Sequence, residues 1–165
     1  MLKILIKRSK SELEDEAVII SKIRQELLSS DIAKIICDEY GFDTDIINGL
    51  SIAFKKDLEA SAKTTESKIE LNSALLEESF EIIMRYAIHE LVHALQHIKN
   101  KNPNNNEEEY LDQADEVEAF QFQIAYHSDA IGKDSAESYV DELIEYHELA
   151  DDIALDKKEE LLKLT

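Results

Sequence analysis

Along the start of the chain Leu2, Ile4 and Ile6 point one way and Lys3 and Lys7 the other, which predicts a short strand over 2–8. Ser11 with Glu14 three residues later forms a capping box, so a helix is expected from there to about Leu28. A second helix is expected from Asp31 to Tyr40, stopped by Gly41. Residues 50–55 and 67–72 read as short strands, the second alternating Ile69 and Leu71 against Lys68 and Glu70, and Asn72-Ser73 opens a turn. From about Glu77 to Ile98 apolar residues occur nearly all round a single long helix, which is therefore expected to be buried. Lys99 to Glu109 holds the only proline and three consecutive asparagines and reads as a loop. Further helices are expected over about 108–128, 134–150 and 152–163. Strands early and helices late predict an α+β fold: one mostly helical domain over 1–165, with a small N-terminal sheet packed on the long helix.

Length and composition narrow the picture. A chain of 165 residues can bury enough surface to fold without covalent staples. Its single cysteine, Cys37, cannot form an internal bridge and excludes a CxxC zinc ribbon or dithiol redox site. Lysines interrupt the first residues before a signal-peptide core can build up, and no apolar run reaches membrane-spanning length, so a cytoplasmic protein is expected. The formal charge is −19, and residues 101–165 carry 19 acidic groups against 5 basic ones. Such a surface repels a phosphate backbone, so no nucleic-acid partner is expected. A solvated acidic surface is the ordinary reading; a binding protein that imitates nucleic-acid charge is the exotic one.

The chemistry is concentrated in His89-Glu90-Leu91-Val92-His93, an H-E-x-x-H string inside the long helix. Histidines four apart differ by about 40° around the axis, so both rings can reach one ion. Glu90 is turned about 100° from His89, where a carboxylate can stand beside a water held by a metal without ligating the metal itself. Imidazole pairs of this geometry suit zinc, one ion per chain, and a catalytic zinc wants a third protein ligand and an open position. His97 continues the row but lies about 12 Å along the axis from His89, too far to share an ion. The helix at 108–128 offers Glu116 and Glu118. On a wheel that starts at Tyr110, Glu118 falls inside the apolar arc of Leu111, Ala114, Val117, Phe122, Ile124 and Ala125, and Glu116 falls on the polar side. A lone buried carboxylate needs a cation, so Glu118 is the expected third ligand and Glu116 the expected surface charge. Gln121 shares the apolar face and stands either near the site or at its edge.

H-E-x-x-H followed by a glutamate on the next helix resembles the gluzincin metallopeptidases, more closely the small single-domain forms of bacteria and phages, including the ImmA/IrrE type. The resemblance spans about 68–125. It rests on the strand Lys68-Ile69-Glu70-Leu71-Asn72 before the metal-binding helix and on Glu118-Ala119 after it. The chain lacks the alanine-rich stretch ending in Met-Pro that follows in the ImmA/IrrE pattern. The resemblance implies a zinc metallopeptidase acting on a peptide or protein, with His89, His93 and Glu118 as ligands and Glu90 as general base. It also implies that the strand near 67–72 is an edge on which an extended peptide lies. Tyr86, Tyr126, His127, Tyr146 and His147 are candidate donors to an oxyanion, none assigned. The alternative functions are a catalytically silent metal-binding module and the acidic binder.

Overall fold

The computed structural model describes residues 10–99 and 110–165. The strand expected over 2–8, the side-chain pairing of Ser11 with Glu14 and nearly all of the expected loop lie outside the described residues.

The N-terminal half begins with two helices, α1 (Lys10–Ser29) and α2 (Asp31–Glu39). Ser30 ends one and starts the other: its hydroxyl accepts from the Ala33 amide at 3.3 Å. Gly41 stops α2 as expected. It adopts φ +76°, and the amides of Gly41 and Phe42 return to the carbonyls of Asp38 and Cys37, a Schellman ending that needs a left-handed residue.

Three strands follow: β1 (Ser51–Lys55), β2 (Ala62–Thr65) and β3 (Lys68–Asn72). The order in the sheet is β1-β3-β2, with β3 parallel to β1 and antiparallel to β2. The sheet therefore comes from the middle of the sequence among the described residues. Strand β3, expected to be an edge, is its centre. The edge beside the long helix is β2, which the periodicity did not reveal because Ala-Lys-Thr-Thr carries no large apolar residue. A two-residue turn at Glu66 and Ser67 joins β2 to β3, with Glu66 at φ +54°.

Asn72 closes β3 and caps a 3-10 turn, Ser73–Glu77, by accepting from the Ala74 amide at 3.0 Å. Helix α3 (Phe80–Ile98) then starts behind Ser79, three residues later than expected from Glu77. It runs between the sheet and α4 (Ala114–Ala130), and its buried Ile83, Met84, Ala87, Ile88, Leu91, Val92, Ala94 and Leu95 leave little surface for solvent. Helices α5 (Lys133–Tyr146) and α6 (Asp151–Leu161) complete the chain.

Two apolar clusters result. The first joins α1, α2, the sheet and α3 to Ala119, Phe122 and Tyr126 of α4. The second packs Phe120 and Ile124 of α4 against Ala136, Val140 and Ile144 of α5 and Leu161 of α6. The acidic C-terminal helices thus bury the outer side of α4. Lys157 ties them to its entry, donating to the Leu111 carbonyl and pairing with Asp112, each at 2.9 Å. The architecture is α+β and mostly helical, with a small mixed sheet. Among the described residues no helix is long and apolar enough to cross a membrane.

Candidate metal centre

With both clusters drawing on α4, one stripe of that helix is left to face α3. It carries Glu116, Gln123 and His127, seven and four residues apart, bordered by Ala119 of the first cluster and Phe120 of the second. The stripe is polar yet enclosed: Gln123 is 1% exposed and His127 3%. It lies against the stripe of α3 that carries Arg85, His89 and His93.

Three ligating side chains converge there. Glu116 places one carboxylate oxygen 3.2 Å from His89 Nε2 and the other 3.2 Å from His93 Nε2. The two imidazole nitrogens are 3.1 Å apart. Ligands at about 2.0–2.1 Å from one tetrahedral ion stand about 3.3 Å from each other, so the two nitrogens, and each nitrogen with its nearer carboxylate oxygen, already have that spacing.

The protonation of both rings is set from behind. His93 Nδ1 donates to Gln96 Oε1 at 2.8 Å. Gln96 Nε2 faces two acceptors, the Asp115 carbonyl at 3.2 Å and Glu118 Oε2 at 3.3 Å, which leaves only the amide oxygen for His93. His89 Nδ1 donates to Gln123 Oε1 at 2.8 Å, and Gln123 Nε2 donates to the Tyr139 hydroxyl at 2.8 Å. In a neutral ring whose Nδ1 carries the proton, Nε2 presents its lone pair. Two such lone pairs and a carboxylate therefore face one point, an arrangement that demands a cation. Glu116 Oε2 is buried without a well-directed donor, in keeping with that demand. A proton can fill the role in part. Burial alone would lower the His93 pKa, but its bond to Glu116 and the charges of Glu116 and Glu90 push it up to about 9. Burial alone would raise Glu116, and the two histidines hold it far below the usual carboxylate range.

Glu90 is 6% exposed and is held differently. The Thr64 hydroxyl on edge strand β2 lies 2.5 Å from Glu90 Oε2 and 3.1 Å from its carbonyl. Glu90, His89 and Tyr86 line a cleft of about 130 Å³. Residues 60–62 stand on one side and Phe120 and Gln123 on the other. The Phe120 ring meets His89 edge to face, centroids 4.6 Å apart.

The structure thus brings together His89, His93 and Glu116, the one group of three or more ligating side chains found among the described residues. Glu118, the ligand expected from the sequence, is not in it. The wheel took the polar arc of α4 as the solvent side, but that arc is the buried seam against α3. It also counted Tyr110 and Leu111, which belong to a separate 3-10 turn, Tyr110–Asp112. Glu118 instead accepts from Gln96 and lies close enough to the buried Tyr40 phenol for its charge to push that pKa up. His97 is exposed. Gln121 points away from the site and donates to the Glu160 carbonyl at 2.9 Å. Of the candidate oxyanion donors only Tyr86 lines the cleft. Tyr126 donates to Glu26 at 3.4 Å, His127 bonds Arg85 and Ser135, and Tyr146 is 81% exposed and stacked edge-on with His147. Gln96, Gln123 and Thr64 were missed; the two glutamines had a signal, a polar residue among apolar ones on each helix.

In comparisons with known families, curated proteins and solved structures, no family model, protein or structure matches the chain.

Proposed function

We propose that the chain is a zinc-dependent metallopeptidase in which His89, His93 and Glu116 hold the ion and Glu90 is the general base. The observation that carries this reading is the convergence of two imidazole lone pairs and one carboxylate, with both ring tautomers fixed by glutamine side chains. Two nitrogens and one oxygen suit zinc, and three protein ligands leave a position open. Zinc, when bound, supplies a Lewis acid that brings the pKa of water to about 7 and polarises a carbonyl.

The chain's own residues do the rest. Glu90 takes a proton from the attacking water and returns it to the leaving amine. The Thr64 hydroxyl holds one carboxylate oxygen and leaves the other free for that transfer. Strand β2, unpaired on its outer side among the described residues, flanks the cleft and offers backbone groups to an extended peptide. This moves the peptide-binding edge from β3 to its neighbour. The single buried cysteine accords with a cytoplasmic location.

The test is zinc quantification beside peptide hydrolysis in wild type and Glu90→Gln. One zinc per chain in both, with hydrolysis only in wild type, is the expected result. Zinc in both without hydrolysis in either favours a silent metal-binding module. Absence of zinc, even after it is supplied, removes both metal readings and leaves the acidic binder.

A further inference from the structure

One cation beside the cleft has no counter-ion within ion-pair distance among the described residues. Arg85 lies one turn before His89 on the same face of α3, about 6 Å along the axis. Its guanidinium carbon stacks 4.1 Å from the centroid of the Tyr139 ring and 5.2 Å from that of Tyr86. Its Nη2 is 3.5 Å from the Tyr86 hydroxyl. Its Nη1 donates to His127 Nδ1 at 3.3 Å. His127 accepts there because its Nε2 donates to the Ser135 hydroxyl at 2.8 Å, and burial with the Arg85 charge lowers its pKa and keeps it neutral. Arg85 Nε is buried with no partner. The side chains that touch the guanidinium are thus neutral, and no described carboxylate lies within ion-pair distance of Arg85, although the chain carries 37 acidic groups.

A half-buried guanidinium with unused donors is costly to keep unless an anion arrives to use them. Its position says where that anion comes from. Tyr86, against which Arg85 packs, lines the cleft beside His89 and Glu90. The Tyr139 bed is tied to the metal centre, since the Gln123 that donates to Tyr139 also accepts from His89. The stacked rings hold the planar fork in one orientation, the geometry that grips a carboxylate with two parallel bonds.

We propose that Arg85 is a specificity-determining residue that binds a substrate carboxylate, either an acidic side chain next to the scissile bond or the free C-terminus of a short peptide. The identity of the ligand as a substrate rests on the peptidase reading; the carboxylate site itself is tested by binding alone. The protein is zinc-loaded and carries Glu90→Gln, so that bound peptide stays intact. The probes are acetyl-Ala-Ala-Glu-Ala-amide, its Gln and Lys twins, and Ala-Ala-Ala-Ala as free acid and as amide. At least one carboxylate probe should bind about tenfold or more tightly than its neutral twin, and the Lys twin weakest. Preference for the Glu peptide assigns the side chain, and preference for the free acid assigns the C-terminus.

Arg85→Gln should abolish the preference, and Arg85→Lys should keep part of it, retaining charge but not the fork. A readout that needs no variant of Arg85 is the 15N resonance of its Nε, one of three arginines in the chain, which should shift on adding the preferred probe. Equal binding of the charged and neutral twins, binding of no probe, or a preference unchanged in folded Arg85→Gln overturns the proposal. A preference that depends on Arg85, found alongside a wild type that cleaves none of the probes, supports the carboxylate site and counts against hydrolysis.

Discussion

Gln96 Nε2 donates to Glu118 Oε2 at 3.3 Å, which sets Glu118 one amide away from His93. The carboxylate chosen by apolar periodicity therefore acts on the site at second hand, through Gln96. The two acids should separate cleanly on substitution. Glu116→Ala removes a proposed ligand and should lower zinc affinity by several orders of magnitude. Gln96→Ala frees the His93 ring and should cost about 10–100-fold, the usual range for groups that orient a ligand. Glu118→Ala leaves the His93–Gln96 bond in place and should cost less than Gln96→Ala. Competition with a chelating dye measures all three. Loss of zinc in Glu118→Ala with retention in Glu116→Ala would reverse the assignment.

Thr64→Val tests the other acid. Valine keeps the shape and the β-branch at the edge strand, so β2 should stay paired with β3. It removes the hydroxyl that fixes Glu90, an interaction with a charged acceptor of about 1.5–3 kcal/mol. The expected outcome is a fall in kcat of about tenfold or more with zinc content unchanged. Normal turnover in Thr64→Val would show that Glu90 needs no such support.

What the sequence could reveal follows from what each element asks of its residues. Helix α3 was legible because burial on all sides writes itself as apolar residues on all sides, and His89, Glu90 and His93 stood out against that background. Gly41 was legible because a left-handed helix ending calls for glycine. Strand β2 was not, since an edge strand with one face half-buried and the other exposed needs no large apolar residue. The carboxylate that meets the two histidines, Glu116 and not Glu118, was hidden for a related reason. Helix α4 faces two apolar clusters, so its apolar residues cover two arcs, and the arc left between them faces the histidines instead of water. Only knowledge of what α3 presents to it tells a buried polar seam from a solvated one. The same ambiguity hid Gln123 and the Arg85–His127 contact.

The triad also makes the metal-free protein sensitive to pH, with a sign opposite to that of the loaded one. His93 is raised from about 6.5 unfolded to about 9 folded. Its contribution is complete below about pH 6.5 and disappears as pH rises through about 9. Glu116 is depressed, so its contribution is present above its unfolded value, about 4.3, and is lost as pH falls below that. Both shifts describe the same interaction and count once, on the order of 3 kcal/mol. With chelator present, denaturant unfolding should show lower stability at pH 9.5 than at pH 6. With zinc present the trend should reverse, because the ion binds neutral imidazole and competes with its proton. A metal-free protein that gains stability over that interval would show that His93 and Glu116 are not paired as described.

Cys37 provides an independent readout of the same linkage. It is fully buried in α2, and burial, with a further contribution from Asp38, pushes its thiol up to about 11. In the native state it should not react with an aromatic disulfide reagent, because thiolate is scarce and access is closed. Its neighbours Ile36 and Tyr40 belong to the core shared with α3, so labelling requires opening of that core. The labelling rate then reports the population of the open form when closing is fast. Zinc that binds only the native state should slow labelling about a hundredfold at a free concentration a hundred times its Kd, equivalent to about 2.7 kcal/mol. Glu116→Ala should show no such protection at the same zinc concentration, while Glu118→Ala should keep most of it. Rapid labelling without denaturant would refute the burial of Cys37. Slow labelling that zinc does not change in wild type would mean that the ion stabilises no part of the folded core, and would leave His89, His93 and Glu116 without their cation.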